Sequence, residues 1–253
     1  SLAFQDEALL WRAQKAADFL LERVVDPSGR VFHLFTGEPA LQGYLDDYAF
    51  LTFGLLELYR ASLKAEYLRA ALRITETMLE LFSNPQGGFF FTAHDAQTPL
   101  LRPQVFSDGA IPSGNSVAVE NLLRLGRLLF RVDFEQTATQ ALERLTPFLE
   151  TNPLSSSYLA KVLFLLLRPD PQVILVAPSD HPDLPFILST LKRESSSLLF
   201  LPEDTRYGYP WNLLPEGLDF RSLFGQPTFY LCRHFTCEEP TTDFARVIPH
   251  LRS

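Results

Sequence analysis

The chain has 253 residues, 46% of them hydrophobic, and a formal net charge of −8 at pH 7. This length predicts one large or two modest domains, and the apolar content is ample for a buried core. Acidic and basic residues are interspersed, so the missing basic surface argues against nucleic-acid binding. No run of about 18 apolar residues occurs, which argues against a membrane span.

The N-terminus and the cysteines bear on location. The first twenty residues contain three acids and lack the layout of a signal peptide, so a cytoplasmic protein is expected. Cys232 and Cys237 are too few for a disulfide framework, which makes a reducing compartment the default. The chain starts at Ser1 and its only methionine is Met78, which we interpret as a hint that part of a longer protein is missing.

Six helices are predicted in the first two thirds of the chain, because apolar residues recur there at helical spacing. Their approximate ranges are 6–25, 46–62, 66–82, 114–130, 134–150 and 155–168. Long loops precede the second and fourth helices. The second of these loops, NPQGGFFFTAHDAQTPLLRPQVFSDGAIPSGN at 84–115, is long enough to be either functional or disordered. Its aromatic and hydrogen-bonding residues favour an ordered loop.

An internal repeat links the two long loops. DPSGRVF at 26–32 matches NPQGGFF at 84–90 with an offset of 58, and LLEL at 55–58 matches LLRL at 122–125 with an offset of 67. Repeats of this size indicate stacked units that bury their faces against neighbours.

Helices two, four and six are the more apolar, so we predict that they form an inner layer and that helices one, three and five form an outer layer. The long loops then gather where the inner helices begin and present free N–H groups.

The pattern changes after Pro169. QVILVA at 172–177 and SLLFL at 197–201 are typical of buried strands, and the helix between them predicts a parallel, right-handed βαβ unit. TFYLC at 228–232 predicts a third strand, and Thr242 or Asp243 is the expected cap of a last short helix. The predicted fold is therefore mainly α, with an α/α hairpin domain at 1–168 and a small α/β domain at 169–253.

Four stretches resemble the bacterial YyaL family and its animal relative, the spermatogenesis-associated thioredoxin-like protein. They are LDDYAFLTFGLLELYRAS, NPQGGFFFTAHDA, LLRPQVFSDGAIPSGNSVAVENLLRL and FYLCRHFTC. The resemblance implies an α/α-barrel of six helical hairpins, similar to the barrels of sugar epimerases and inverting glycosidases. This chain is similar to its C-terminal part only, so a partial toroid without the thioredoxin-like domain is implied, together with a link to carbohydrate metabolism.

Half a barrel would leave apolar edges on its first and last hairpins, and large exposed apolar patches usually mark an interface. We therefore expect helices one and six to meet a partner, either a second copy in a homo-oligomer or a separate chain that completes the barrel. A rearranged monomer, in which the βαβ unit covers an edge, is the alternative.

The predicted site lies on the rim where the inner helices begin. Asp47 and Asp108 are the candidate catalytic residues, since glycoside chemistry needs carboxylates on both sides of the scissile bond. The structural alternative is a helix cap for Asp47 and turn chemistry for Asp108. The predicted substrate-binding residues, for a small sugar, are Asp46, Tyr44, Tyr48, Phe89, Phe90, Ser113, Asn115, His33 and His94.

Several of these residues have a second interpretation. Phe89 and Phe90 suit either stacking on a sugar face or packing between helices. His33 and His94 occupy nearly matching repeat positions and form a candidate acid–base pair, although they depart from the epimerase pattern. The histidines lack metal-ligand spacing, so neither a metal nor another cofactor is expected. The two cysteines are either a reactive thiol site or buried structural residues.

Two functions therefore remain open, and with them whether the chain is an enzyme. One is a carbohydrate-binding or carbohydrate-active barrel segment, and the other is a non-catalytic interaction module that scaffolds a thioredoxin-like partner. Carboxylates that face each other across about 5 to 10 Å of open cleft would favour chemistry. Carboxylates held in caps or salt bridges would favour the scaffold.

Overall fold

The computed structural model describes residues 6–96, 101–206 and 208–251. All six predicted helices are present, with ends within a few residues of those expected. They are α1 (Glu7–Arg23), α2 (Leu45–Ser62), α3 (Ala65–Phe82), α4 (Gly114–Leu128), α5 (Val132–Thr151) and α6 (Ser157–Leu167). Within the described ranges, no helix is both long and apolar enough to cross a membrane.

The first long loop contains two strands that were not predicted. They are β1 (Phe32–Phe35) and β2 (Pro39–Gln42), which pair in an antiparallel hairpin. Neither strand has a fully buried face. Such strands need no alternation of apolar and polar residues, which is the sequence pattern that marks a strand.

The helices form the two predicted layers. Inner helix α2 packs against α4, and α4 packs against α6, while α3 lies behind α2 and α5 lies behind α4. Nearly every residue of α4 is buried, as expected for the central helix of the layer. Helix α1 is the least covered of the six, and Ala17 is its only buried residue.

The sequence repeat is also a structural repeat. In each copy the amide of the first turn residue donates to the carbonyl oxygen four residues later at 3.0 Å. Gly29 and Gly87 occupy equivalent places with φ angles of +92° and +97°, a region that favours glycine. A Cβ at either position would clash with backbone and side-chain atoms of the neighbouring outer helix, α3 or α5. The repeat therefore fixes each long loop against an outer helix.

The C-terminal part is a small α/β unit. Its elements are β3 (Gln172–Ala177), α7 (Leu184–Glu194), β4 (Leu198–Pro202), β5 (Thr228–Arg233), β6 (Thr236–Cys237) and α8 (Phe244–Val247). Strand β3 lies between β4, which is parallel to it, and β5, which is antiparallel. The parallel βαβ pairing is thus confirmed, and Asp243 caps α8 by accepting from Ala245 N at 2.9 Å. The predicted fold class, mainly helical hairpins with a small α/β unit, is confirmed.

The sheet joins the two parts of the molecule. One face packs against α7 and α8, and the other continues the core of the helical layers. Gln172 Nε2 donates to Leu128 O at 3.0 Å, and Phe200 N donates to Tyr59 Oη at 3.3 Å. The sheet therefore lies against the C-terminal halves of α2 and α4. One core runs through both parts of the molecule. The division into two domains at residue 168 stays a prediction.

The cysteines differ from the composition-based expectation of free thiols. Cys232 and Cys237 form a disulfide across β5 and β6. Strand pairing accounts for it, because the tight turn places these two residues directly opposite each other. Their spacing of five residues did not indicate a hairpin, so the pairing was missed.

Candidate functional site

The inner helices begin at a common rim, as predicted. A Cβ added to Gly114, at the start of α4, would lie 2.0 Å from Asp46 Oδ1 in the first turn of α2. Asp108 accepts from Ser113 N at 2.9 Å and from Tyr158 N at 2.8 Å, so it connects the starts of α4 and α6. Segments 44–47 and 108–115 therefore meet at one end of the inner layer.

Asp47 and Asp108, the predicted catalytic residues, are both held in caps. Asp47 Oδ2 accepts from Tyr44 N at 2.8 Å in a capping box and lies 2.9 Å from His33 Nδ1. Both oxygens of Asp108 accept from backbone N–H groups. For Asp47 this is the helix cap given above as the structural alternative. For Asp108 the alternative was turn chemistry, and the structure instead bonds it to amides at two helix starts.

Asp46 differs from its neighbour. Burial raises the pKa of Asp46, and the adjacent Asp47 raises it further, against a smaller lowering by the Gly114 N–H. Asp46 is thus a carboxylate with a raised pKa that lies between two helix starts. Its position beside a glycine leaves little room for a ligand between the starts of α2 and α4.

Asn115 and Tyr48 have equivalent structural roles in the repeat. Asn115 Oδ1 accepts from Phe89 N at 2.8 Å, and its Nδ2 donates to Phe89 O at 3.0 Å. Tyr48 Oη accepts from Val31 N at 3.0 Å at the matching point of the first loop. Both side chains are 1% exposed. They tie each long loop to an inner helix and are not accessible to a sugar.

Tyr44 and the histidines lie at the outer end of the rim. Tyr44 stacks on Phe91 with ring centroids 4.9 Å apart and meets His33 edge-on at 5.1 Å. His33 is paired with Asp47, whereas His94 is exposed and donates its backbone N–H to Leu81 O. The structure thus joins His33 of the first loop to a carboxylate in the first turn of α2.

The remaining predicted residues pack or cap. Phe89 is fully buried, and the Arg102 guanidinium covers the ring of Phe90 at 4.2 Å. Ser113 caps α4 by accepting from Ser116 N at 3.2 Å. Packing between helices, the second interpretation of the two phenylalanines, describes their positions.

A second polar site was missed by the sequence reasoning. It is a cavity of about 360 Å³ between α2, α4, α6 and the turn before β4, which we call the inner cavity. Its charged lining residues are Glu57, Arg60, Glu120, Arg124, Arg127, Lys161 and Asp170. The available signal was helical spacing: in α2 and α4, charged residues three or four positions apart interrupt an apolar helix and fall on one of its faces.

Ion pairs cross the inner cavity from helix to helix. Arg124 Nη2 donates to Glu57 Oε1 at 2.6 Å, and Lys161 Nζ donates to Glu120 Oε2 at 2.8 Å. The Glu120 side chain is only 5% exposed. Burial, followed by a hydrogen bond to Glu120, raises the pKa of Tyr158. These contacts place charged hydrogen-bonding groups around a volume typical of small-molecule sites.

A third feature is an apolar groove of about 710 Å³ between α1 and α2, which we call the α1–α2 groove. Ala13, Ala16 and Leu20 line its α1 side, and Leu51 and Gly54 line its α2 side. His33, Asp46 and Asp47 lie at its polar end. Such an apolar lining suits another helix better than a sugar.

Comparison with known proteins gives relatives over most of the chain, although no family model matches. Human spermatogenesis-associated protein 20 is 30% identical over 222 residues, which are 86% of this chain and 28% of that protein. The mouse protein of the same name is 28% identical over 252 residues, 94% of this chain and 32% of that protein. An uncharacterised Caenorhabditis elegans protein is 26% identical over 251 residues, 94% of this chain and 34% of that one.

Among solved structures, an unsaturated glucuronyl hydrolase from Bacillus sp. GL1 aligns with a TM-score of 0.49 and 17% sequence identity. The alignment covers 76% of this chain and 56% of that chain. The chain spans about a third of the length of the curated relatives it matches. The resemblance predicted from the sequence is confirmed: the chain is similar to part of spermatogenesis-associated protein 20 over most of its own length.

Proposed function

We propose that this chain is a non-catalytic interaction module whose α1–α2 groove binds an apolar helix of a further helical hairpin. The observation that carries this proposal is the position of the groove within the layers. Outer helix α3 packs closely against the inner helix before it, α2, and α5 does the same with α4. Helix α1 is also an outer helix, and the groove lies where an inner helix before it would pack.

The lining of the groove suits a helix. Ala13, Ala16 and Gly54 are small, so a neighbouring backbone can approach closely. The groove is lined mainly by apolar side chains from both helices. A continuous apolar surface of this size marks a place that another element covers. The curated relatives are about three times as long as this chain, so such proteins have chain to supply that helix.

The rim supports a non-catalytic role. Asp47 and Asp108 satisfy helix N-termini, and the starts of α2 and α4 are in contact at Asp46 and Gly114. A glycosidase site needs about 5 to 10 Å between its two carboxyl groups, with room for substrate. Carboxylates bound in this way support packing at the rim rather than a substrate cleft.

Hydrogen exchange tests the proposal directly. We expect amides of the α1 segment to exchange at least about tenfold more slowly in full-length human spermatogenesis-associated protein 20 than in its matching segment alone, because a covering helix suppresses opening. The segment equivalent to α5, which is already covered, should exchange equally in both. Equal exchange of the α1 segment in the two proteins would refute the proposal.

Substitution of the groove gives a second test. The full-length relative and its variants carrying Arg at the positions aligned with Ala16 and Gly54 would be compared, with Arg at the position of exposed Glu66 as the control. Groove variants should lose the α1 protection while the control keeps it. If groove and control variants behave alike, the groove does not hold the covering helix.

The second candidate function is the carbohydrate binding predicted from the sequence, and the inner cavity favours it. Glu57 and Glu120 supply acceptors for sugar hydroxyls, and Phe53 supplies an aromatic surface. Calorimetric titration of mono- and disaccharides against Glu120→Gln tests it, with Asp47→Asn and Asp108→Asn as rim controls. Binding that is lost only in the rim variants would locate the site on the rim, and no binding to the parent chain would remove this candidate.

A further inference from the structure

We infer that the inner cavity contains an oxyanion subsite, in which Arg60 and Arg127 bind the carboxylate or phosphate of a small polar molecule. The inference shares its cavity with the second candidate function but does not depend on it, since a free oxyanion without any sugar tests it. It is carried by a carboxylate that two guanidinium groups share and by unused hydrogen-bond donors.

Four cations and four carboxylates surround the cavity. Arg60, Arg124, Arg127 and Lys161 line it together with Glu57, Glu120 and Asp170, and the fourth carboxylate, Glu135, pairs with one of these cations. Lys161 is matched by Glu120. Arg127 is matched by Glu135 Oε2, 2.9 Å from its Nε.

Arg60 is the under-compensated cation. Its Nη1 lies 3.8 Å from Glu57 Oε2, and that same carboxylate accepts from Arg124 at 2.6 Å. One carboxylate thus serves two guanidinium groups. Asp170 also lines the cavity and its Oδ2 accepts from Ser196 Oγ at 2.6 Å, while no ion pair joins it to Arg60 among the described residues.

Two guanidinium donors are buried without a partner among the described residues. They are Nε of Arg60 and Nη2 of Arg127. Nε and Nη1 of Arg127 donate to Glu135 and to Leu165 O, so its plane is fixed with the third nitrogen left over. A buried unpaired donor is costly, and a charged one more so.

The chemistry of these donors specifies the ligand class. Guanidinium groups present rigid, planar N–H donors that match carboxylate and phosphate oxygens. Glu57 and Ser196 lie in the same lining and can pair with hydroxyl groups of the ligand. A cavity of about 360 Å³ fits a molecule of monosaccharide size, such as a sugar acid or a sugar phosphate.

Isothermal titration of the intact chain tests the inference with four probes: inorganic phosphate, gluconate, glucose 6-phosphate and glucose. We expect the chain to bind gluconate or glucose 6-phosphate at least about tenfold more tightly than glucose, since one charged hydrogen bond is worth about that factor. Preference between the two acids identifies a carboxylate or a phosphate as the ligand group. Binding of inorganic phosphate alone would establish the subsite without the sugar.

Variants locate the subsite. Arg60→Met should weaken binding of the acidic probe at least about tenfold, and Arg60→Lys, which keeps the charge but not the planar donors, should weaken it less. Arg23→Met, in an exposed pair with Glu22 on α1, is the matched control and should leave binding unchanged. Circular dichroism confirms that each variant is folded.

Three outcomes overturn the inference. Glucose binding as tightly as gluconate and glucose 6-phosphate would leave a sugar site without an oxyanion subsite. Equal affinity of Arg60→Met and the parent chain would place the anion elsewhere. Failure of all four probes to bind removes the oxyanion subsite, and the neutral mono- and disaccharide titrations then decide the second candidate separately.

Discussion

Gly114 shows how single residues set the spacing of the inner layer. Its missing side chain lets the start of α4 approach Asp46 of α2, where a Cβ would be 2.0 Å from Oδ1. Gly54 is different, because it lies within α2 and a Cβ there would meet nothing within 4 Å. Two glycines of the same layer should therefore respond to alanine in opposite directions.

We expect Gly114→Ala to lower the free energy of unfolding by about 1–3 kcal/mol, as overpacking does. Gly54→Ala should raise it by up to about 1 kcal/mol, because alanine has the higher helix propensity. Urea denaturation of both variants measures the difference. Asp46→Ala added to Gly114→Ala should recover part of the loss, and a Gly114→Ala variant as stable as the parent would contradict the contact.

Asp46 should also give stability a pH dependence of unusual sign. Its pKa in the folded state is raised, chiefly by burial, so the folded state binds more protons than the unfolded state between the two pKa values. The contribution of Asp46 to stability is therefore most favourable at acidic pH and is lost as pH rises through its folded pKa. A typical paired carboxylate behaves in the opposite way.

Asp46→Asn removes this titration and keeps an oxygen that can accept from the Gly114 N–H. We expect the free energy of unfolding of Asp46→Asn, minus that of the parent, to increase between about pH 3.5 and pH 7. The lower limit is about the ordinary pKa of an aspartate. Urea denaturation of both proteins across that range measures it, and the difference cancels other titrating groups. A constant difference, or one that shrinks as pH rises, would contradict the raised pKa.

Residue roles were predictable only where local chemistry decides them. The caps at Asp47 and Ser113 follow from turn-forming residue types before an apolar run. The partners of Asp108 and Asn115 do not, because Tyr158 and Phe89 are 50 and 26 residues away along the chain. The sequence indicated that these polar side chains gather on one rim, but it did not show that their hydrogen bonds are made to the backbone of distant segments.

At the scale of elements, Asp108 joins helices that are separated in the sequence. Its Oδ2 accepts from the amide of Tyr158 in the first turn of α6, and its Oδ1 accepts from the amide of Ser113, the residue that caps α4, so one carboxylate is bonded at two helix starts. Asp243 performs the ordinary form of this task, as the cap of α8 alone. The two residues form a matched pair for measuring what the double cap contributes.

Asp243→Ala should lower the free energy of unfolding by about 1 kcal/mol, the typical contribution of one cap. Asp108→Ala should lower it by about 2 kcal/mol or more, because two hydrogen bonds to backbone amides are lost. Asp108→Asn should fall between the parent and Asp108→Ala. Urea denaturation gives the energies, and hydrogen exchange at the start of α6 should rise in Asp108→Ala. An Asp108→Ala variant no less stable than Asp243→Ala would show that the second bond contributes nothing.

The elements themselves were largely readable from the sequence. The six helices have apolar residues at helical spacing, and β3 is an apolar run that is buried on both faces. The hairpin of β1 and β2 was missed because its residues are mostly exposed, and β6 because it has two residues. The inner cavity was missed because its charges are divided among three helices, and only their tertiary packing brings them together.

At the scale of the whole molecule, one core connects the helical layers with the α/β unit. Ile174 and Leu199 of the sheet belong to the same buried cluster as Leu122 of α4. Hydrogen bonds from Gln172 to Leu128 and from Phe200 to Tyr59 cross the junction. Parts that share a core and buried hydrogen bonds lose stability together, so they should unfold together.

The two tryptophans make this testable, since Trp11 lies on α1 and Trp211 follows β4, where its Nε1 donates to Pro202 O at 2.7 Å. In Trp11→Phe, fluorescence reports the α/β unit through Trp211, while circular dichroism at 222 nm reports mainly the helices. We expect the two urea midpoints of this variant to coincide. Gln172→Ala, which breaks a junction hydrogen bond, should move both midpoints down together. Separate midpoints, or a Gln172→Ala shift seen by one probe only, would show two independently folding domains divided near residue 168.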